Sequence, residues 1–122
     1  MTDGYVFFSA KIAERLPPLY SQEGKGDDAI VYVKFFTPDS SWTWYATEYD
    51  PHQRLFFGFV VGWEAELGYF SLDELQNATG PFGMPVERDI GWKPETLREV
   101  MSRYSHVNDH FARKGAFNGP DD

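Results

Sequence analysis

Apolar and aromatic residues concentrate between Ala29 and Leu75, in three stretches separated by polar, turn-forming segments. The stretches read AIVYVKFF, SWTWYATEY and RLFFGFVVGW, and the segments between them contain TPDSS and DPHQ. Runs of β-branched and aromatic residues bounded by Pro, Asp and Ser are typical of strands joined by turns. The pattern predicts an antiparallel sheet, to which ELGYF adds a short fourth strand and VERDI an edge strand.

Alternation along each stretch predicts which side chains share a face. In the first stretch, Val31, Val33 and Phe35 are expected on one side. In the second, the expected set on one side is Trp42, Trp44, Ala46 and Glu48, and on the other Thr43, Tyr45, Thr47 and Tyr49. The third stretch is apolar on both sides, which indicates a central strand covered on both faces, or covered by protein on one face and by a ligand on the other. Gly58 within it marks a bend or a close approach by another group.

Local signals predict where helices begin. Ser9 can cap the segment AKIAERL, which Pro17 must end because proline lacks a backbone N–H. Ser71 and Glu74 form an S-x-x-E capping box at the start of a second helix. Pro94 suits the first position of a third helix. Its apolar stripe has the helical spacing i, i+3, i+4 and i+7, at Leu97, Val100, Met101 and Tyr104.

These elements together predict the α+β class. We expect a single domain over residues 1–122, with a core at about 5–104 and a helix extension and tail at 105–122. Its architecture is a twisted antiparallel sheet of four to five strands with two to three helices mainly on one face.

Composition excludes several classes of site and protein. The 122-residue chain has no cysteine, so disulfides and thiolate metal sites are ruled out. The longest apolar run, Leu55 to Trp63, is shorter than the ~20 residues that a membrane-spanning helix needs. The N-terminal segment does not have the pattern of a signal peptide. We therefore expect a soluble, cytoplasmic protein.

The net charge of -8 is unevenly distributed. Between Asp27 and Glu74, nine acids face only Lys34 and Arg54, which gives -7 for this segment. Such a charge repels nucleic acid, because duplex binding uses Lys and Arg to neutralise phosphates. A basic protein surface would be attracted instead.

Motifs for catalysis, cofactors or metals are weak. The chain contains no phosphate-binding loop, no G-x-G-x-x-G and no G-x-S-x-G, so no cofactor is predicted. His106 and His110 would share one helix face, as zinc ligands do, but H-E-x-x-H is not met, and we expect solvated histidines. Four carboxylates near strand ends could act as an acid–base pair if held about 5 to 9 Å apart. They are Glu48, Asp50, Glu64 and Glu66.

The central segment instead favours a partner-binding surface. Its acids flank a group of aromatic residues, which dominate many protein interfaces. The predicted binding residues are Asp39, Glu48, Asp50, Glu64, Glu66, Asp73, Glu74, Trp42, Trp44 and Tyr45. In the alternative interpretation, most of the aromatic residues form the core.

Several segments resemble a family of small bacterial proteins of unknown function carried on plasmids, phages and conjugative elements. The resemblance spans about Leu16 to Val100 and includes LPPLYSQE, KFFTPDSSWTWY, GYFSLDEL and P-x-ERD. The connection from Asp50 to Arg54 and the tail after Tyr104 depart from it. It implies no catalytic residues. It implies the genetic context of accessory proteins, some of which inhibit restriction or CRISPR systems by occupying nucleic-acid-binding surfaces.

The leading hypothesis is therefore a non-enzymatic acidic protein, an anti-CRISPR or anti-restriction inhibitor. It would dock on the basic surface of a host protein, such as a defence nuclease or CRISPR effector, without touching nucleic acid or membrane itself; dimerisation is left open. The alternative is a small enzyme or ligand-binding module that uses an aromatic sheet face and flanking carboxylates, with Glu48 or Glu64 as acid or base.

Overall fold

The structure is a computed structural model that describes residues 5–104. The helices are α1 (Ala10–Ala13), α2 (Leu72–Asn77) and α3 (Leu97–Ser102), and a 3-10 segment covers Glu23–Asp28. The strands are β1 (Ile30–Val31), β2 (Val33–Phe36), β3 (Thr43–Asp50), β4 (Leu55–Val61), β5 (Ala65–Ser71), β6 (Glu87–Arg88) and β7 (Glu95–Thr96). Within these residues, no helix has both the length and the apolar character needed to cross a membrane.

The strands form one large and one small antiparallel sheet. Five strands are ordered β5-β4-β3-β2-β6, and β1 pairs separately with β7. The predicted α+β class and the four- to five-stranded sheet are confirmed. The segment VERDI supplies the edge strand β6, as predicted, which pairs with β2 through Phe35 and Phe36.

Strand β4 is buried on both faces, as its continuous apolar pattern predicted. Phe56 and Phe59 are both fully buried, but they belong to different hydrophobic clusters. The cluster around Phe56 includes Ile12 of α1 and Leu72 and Leu75 of α2. The cluster around Phe59 includes the apolar side chains of α3. Helices α1 and α2 therefore cover one face of the sheet and α3 covers the other.

The first predicted strand is interrupted at Tyr32. Val33 and Phe35 pack with Phe56, whereas Val31 packs with Phe59 on the opposite side of the sheet, so the prediction of one shared face was wrong. The break follows from a change of partner, since β1 pairs with β7 while β2 pairs with β3. Alternation within one strand does not continue across such a change.

A bulge in β3 also changes the predicted faces. The register with β4 shifts between Ala46 and Glu48. As a result, Ala46 and Tyr49, predicted on opposite faces, pack in the same cluster. Glu48 lies opposite Phe57 of β4 and shares the α3 face with Tyr45, so its predicted place beside Trp44 was wrong. An extra residue in one strand reverses the alternation beyond it.

The helix starts are set by capping side chains. Ser9 accepts a hydrogen bond from the Ile12 amide, and the capping box between Ser71 and Glu74 is present as predicted. The third helix begins later than the proline suggested. Thr96 is its N-cap and forms a capping box with Glu99, because Glu95 and Thr96 are first used to pair with β1.

The interior of the sheet brings a backbone carbonyl against Gly58. A Cβ atom on Gly58 would lie 1.8 Å from the carbonyl oxygen of Tyr45 in β3. The predicted close approach is thus confirmed. Gly68, the direct partner of Gly58 on β5, has no atom within 4 Å of the equivalent position.

Substituting each of these paired glycines by alanine should have opposite effects. Gly58→Ala forces the strand backbones apart, and we expect it to lower the free energy of unfolding by about 3 kcal/mol. Gly68→Ala meets no obstacle and should be neutral or stabilising by about 0.5 kcal/mol. Urea denaturation of both variants measures this difference; equal stabilities would contradict the close approach.

Candidate functional site

The predicted partner-binding acids lie at two opposite ends of the sheet. Asp39, in the turn between β2 and β3, lies at the same end as Glu64 and Glu66 around the turn between β4 and β5. Asp50 and Asp73 lie at the other end, where β3 turns into β4 and β5 enters α2. Strands of seven residues separate these ends by about 23 Å. These acids therefore form two separate groups and not one continuous acidic surface.

Three tryptophans form a continuous ridge at the first end. The ring centroids of Trp42 and Trp44 are 5.8 Å apart, and those of Trp42 and Trp63 are 6.5 Å apart with the rings almost perpendicular. Trp42 lies directly over Gly62, where a Cβ would be 2.3 Å from its ring. Trp63 is 90% exposed although its side chain is the largest and most apolar in the turn. We call these three residues the tryptophan ridge.

Exposed acids flank the tryptophan ridge. Glu64 follows Trp63 in the turn, which is closed by a 2.9 Å hydrogen bond from the Gly62 amide to the Glu64 carbonyl. Glu66 pairs with Val60 of β4, and Val60 pairs with Trp44 of β3. Trp44, Val60 and Glu66 thus lie in a row across the sheet. The tryptophan ridge and the two flanking glutamates therefore present apolar rings beside negative charge.

Asp39 fixes the loop 79–85, which carries two further apolar side chains at this end of the sheet. Its Oδ2 accepts hydrogen bonds from the amides of Phe82, at 2.9 Å, and Met84, at 3.2 Å. Its Oδ1 packs against Gly80, where any Cβ would clash. Phe82 is 85% exposed. Sequence reasoning missed Phe82 and Met84, because the loop 79–85 carries no signal that a distant aspartate fixes it.

At the other end, the acids are engaged in local structure. Asp50 accepts a hydrogen bond from the Gln53 amide group, which lowers the pKa of Asp50. Asp73 forms an ion pair with Arg54 at 2.8 Å. Glu74 completes the capping box of α2. These three acids stabilise turns and helix ends, so they offer less free charge to a partner than Glu64 and Glu66.

Glu48 is buried and anchors a loop. Its side chain is 4% exposed, and its two oxygens accept hydrogen bonds of 2.7 Å from the amides of Tyr20 and Gln22. Tyr20 has a φ of 73°, in the left-handed region that residues other than glycine seldom adopt. The carboxylate therefore holds the backbone in an unusual conformation, and it lies on the α3 face and not beside Trp44.

Gln22 completes this anchor. Its Nε2 donates to the carbonyls of Ile30 and Thr47, and its Oε1 accepts from the Ile30 amide. Every polar atom of the Gln22 side chain is thus paired in the interior. Sequence reasoning missed Gln22, because a glutamine in a polar, glycine-containing loop gives no signal of burial.

Tyr45, another predicted binding residue, is also internal. It is 2% exposed, and its hydroxyl lies 2.6 Å from the hydroxyl of Tyr104. Burial and this hydrogen bond raise the pKa of Tyr45, so the phenol stays neutral. Its ring packs near Phe59 and Trp92. Tyr45 is therefore a core residue, as the alternative interpretation of the aromatic residues expected.

The family model for a protein of unknown function (DUF2958) matches residues 11–113, which is most of the chain. The chain belongs to the DUF2958 family. Comparisons with curated proteins and with solved structures gave no match. The family description assigns no activity, so functional inference for this DUF2958 protein depends on its own residues.

The four carboxylates considered for acid–base chemistry in this DUF2958 protein do not converge on one point. Glu48 and Asp50 lie two residues apart near the end of β3, whereas Glu64 and Glu66 lie at the opposite end of the sheet. In residues 5–104, no three side chains of the metal-binding types form a cluster able to hold an ion. His106 and His110 lie outside the described residues.

Removing the Glu48 carboxylate should destabilise this DUF2958 protein and release the loop 20–28. Glu48→Ala leaves two amides without their charged acceptor, and we expect a loss of about 3 kcal/mol in the free energy of unfolding. Glu66→Ala, at an exposed position, should change it by less than about 0.5 kcal/mol. Denaturation together with tryptic cleavage at Lys25 measures both effects. Unchanged cleavage in Glu48→Ala would refute the anchoring role.

Proposed function

We propose that the chain is a non-enzymatic interaction protein that docks on a basic surface of another protein through its tryptophan ridge and the flanking acids. The observation that carries this proposal is Trp63, 90% exposed beside Glu64 and in contact with Trp42. A large apolar ring held in water is unfavourable in the free chain and becomes favourable when a partner covers it. Tryptophan is also among the residues that most often dominate binding energy.

The negative charge beside the tryptophan ridge also favours this surface as the docking site. Glu64 and Glu66 are exposed, and no ion pair within residues 5–104 neutralises either of them. Complementary charge increases the association rate and selects partners, while the central aromatic ring supplies most of the affinity. A basic partner with an apolar depression would match both features. The chain's net charge of -8 acts in the same direction at longer range.

The proposal extends to a biological role through the resemblance of the sequence to proteins of mobile elements. An accessory protein carried on a plasmid or phage would gain most by blocking a restriction or CRISPR nuclease. Such nucleases carry basic grooves for nucleic acid, and an acidic surface can occupy them. This role rests on analogy of context, and the docking surface can be tested separately.

Truncating the central ring should abolish partner capture. We expect Trp63→Ala to lose a partner that the wild-type chain retains from a host lysate, because the loss of a hot-spot ring weakens binding about 30-fold or more. Ile90→Ala is the matched control, since Ile90 is 71% exposed but lies beyond β6, at the opposite edge of the sheet. Affinity capture with mass spectrometry compares the three proteins. Equal retention by Trp63→Ala would overturn the proposed surface.

Charge reversal beside the ridge should weaken capture in a salt-dependent way. Glu66→Lys places a positive charge near Trp44, and we expect about tenfold weaker binding at low salt and a smaller difference at 0.5 M salt. Glu14→Lys makes the same change in net charge at the end of α1 and should bind nearly as the wild type does. If both variants lose binding equally, net charge and not this surface is responsible.

The anti-defence role has its own readout. In bacteria that carry an active restriction or CRISPR system, expression of the wild-type chain should raise the plating efficiency of a targeted phage. Trp63→Ala should not raise it, while Ile90→Ala should behave as the wild type. No effect of the wild-type chain across such systems would remove this role and leave the docking surface to be judged by capture.

A further inference from the structure

A small cleft lies on the α3 face of the sheet, away from the tryptophan ridge. It has a volume of about 260 Å³ and lies between the loop 20–28 and the strands β4 and β5. This is below the range of about 300–1,000 Å³ typical of pockets for drug-sized ligands. The cleft therefore suits a single side chain or a small molecule.

Aromatic and aliphatic side chains form the walls of the cleft. Glu48, Phe57 and Tyr69 are direct neighbours across β3, β4 and β5, and the rings of Phe57 and Tyr69 are 4.9 Å apart. Tyr20 faces them from the loop, and Leu67 lies on the same strand as Tyr69. Tyr20, Leu67 and Tyr69 remain 62%, 40% and 51% exposed. Residues 5–104 thus leave a large part of their apolar surface uncovered.

The charged residues of the cleft are all acidic. Glu23, Asp27 and Glu48 line it, and no lysine or arginine among residues 5–104 does so. Asp27 is partly neutralised by Arg98 at 3.8 Å. No ion pair within the described part of the chain neutralises Glu23 or Glu48. Each Glu48 oxygen accepts one amide, which leaves acceptor capacity on a carboxylate with about four lone-pair sites.

The electrostatic state of Tyr69 is consistent with this negative environment. A hydrogen bond with Tyr20 raises the pKa of Tyr69, and the charges of Glu48 and Glu23 add to the increase. The phenol of Tyr69 therefore stays neutral at physiological pH. Neutral aromatic rings near carboxylates are the usual surroundings of bound ammonium and guanidinium groups.

We propose that this cleft binds an organic cation, a guanidinium or alkylammonium group on a short apolar stem. The stem lies against Phe57 and Leu67, and the cationic head lies near Tyr20 and Tyr69, between Glu23 and Glu48. The ligand is either a free small molecule or a basic side chain of another protein, since both present the same chemistry. The site is separate from the tryptophan ridge, so it does not depend on the docking proposed there.

A matched pair of ligands tests the requirement for charge. Butylguanidinium and butylurea have nearly the same shape, but only the first is charged. Titrated into the isotopically labelled full chain, butylguanidinium should give saturable NMR shifts at the amides of Gln22, Thr47 and Tyr69, with an affinity on the order of millimolar. Butylurea should give no saturable shifts there. Equal binding of both ligands, or of neither, would overturn the proposal.

A third ligand distinguishes a free small molecule from a protein side chain as the source of the cation. Nα-acetylarginine methylamide carries the same head within a capped residue. Binding at least as tight as that of butylguanidinium indicates that the cleft takes a protein side chain. Weaker binding indicates a free small molecule. Either result is compatible with the cation site and identifies which kind of ligand occupies it.

Charge-matched variants locate the interaction. We expect Glu23→Gln to weaken butylguanidinium binding about threefold, whereas Glu66→Gln, which changes the net charge equally on the other face, should leave it unchanged. Tyr69→Leu should weaken binding about fivefold, and Tyr69→Phe, which keeps the ring, should retain it. Equal effects of the two glutamate variants, or unchanged binding in Tyr69→Leu, would refute this location.

The ridge and the cleft can fail independently. Trp63→Ala should bind butylguanidinium as the wild type does, although we expect it to lose partner capture. A chain that captures a basic protein but binds no organic cation would refute only the cleft. The reverse result would refute only the ridge.

Discussion

Burial of β4 on both faces is the constraint on which the rest of the structure depends. A strand with apolar side chains on both sides needs a cover above and below the sheet. The chain supplies α1 and α2 on the side of Phe56 and α3 on the side of Phe59. The close contact between Gly58 and the Tyr45 carbonyl fits β3 tightly against this strand. Both candidate sites are surfaces that remain after these covers are in place.

The bulge in β3 determines which acid faces which side. Because it turns Glu48 toward the α3 face, a carboxylate that would otherwise lie beside Trp44 meets the amides of Tyr20 and Gln22 instead. A buried carboxylate is tolerated when hydrogen bonds replace its hydration. These bonds fix the loop 20–28, and the loop forms one wall of the cleft. A local irregularity thus creates a site far from the residue's predicted surface.

The acidic residues of the chain differ in what their charge does. Asp50, Asp73 and Glu74 hold a turn, an ion pair and a helix start, so much of their hydrogen-bonding capacity is satisfied within the fold, and Asp39 Oδ2 fixes the loop 79–85. Glu64 and Glu66 are exposed beside the tryptophan ridge, where their charge is open to a partner. Net charge alone does not separate these two groups, because the difference lies in the hydrogen bonds and ion pairs that each acid forms within the fold.

The sequence by itself determined the features that depend on neighbouring residues. The strand stretches, the double burial of β4, the close approach at Gly58 and the capping box at Ser71 all follow from local pattern and local chemistry, and the structure confirms them. Tertiary structure decided the break at Tyr32, the bulge after Ala46, the later start of α3 at Thr96 and the burial of Gln22. Each of these depends on which distant strand or loop becomes a partner, and a single sequence does not specify that pairing. The same reason explains why the acids could be identified from the sequence while their division between two ends of the sheet could not.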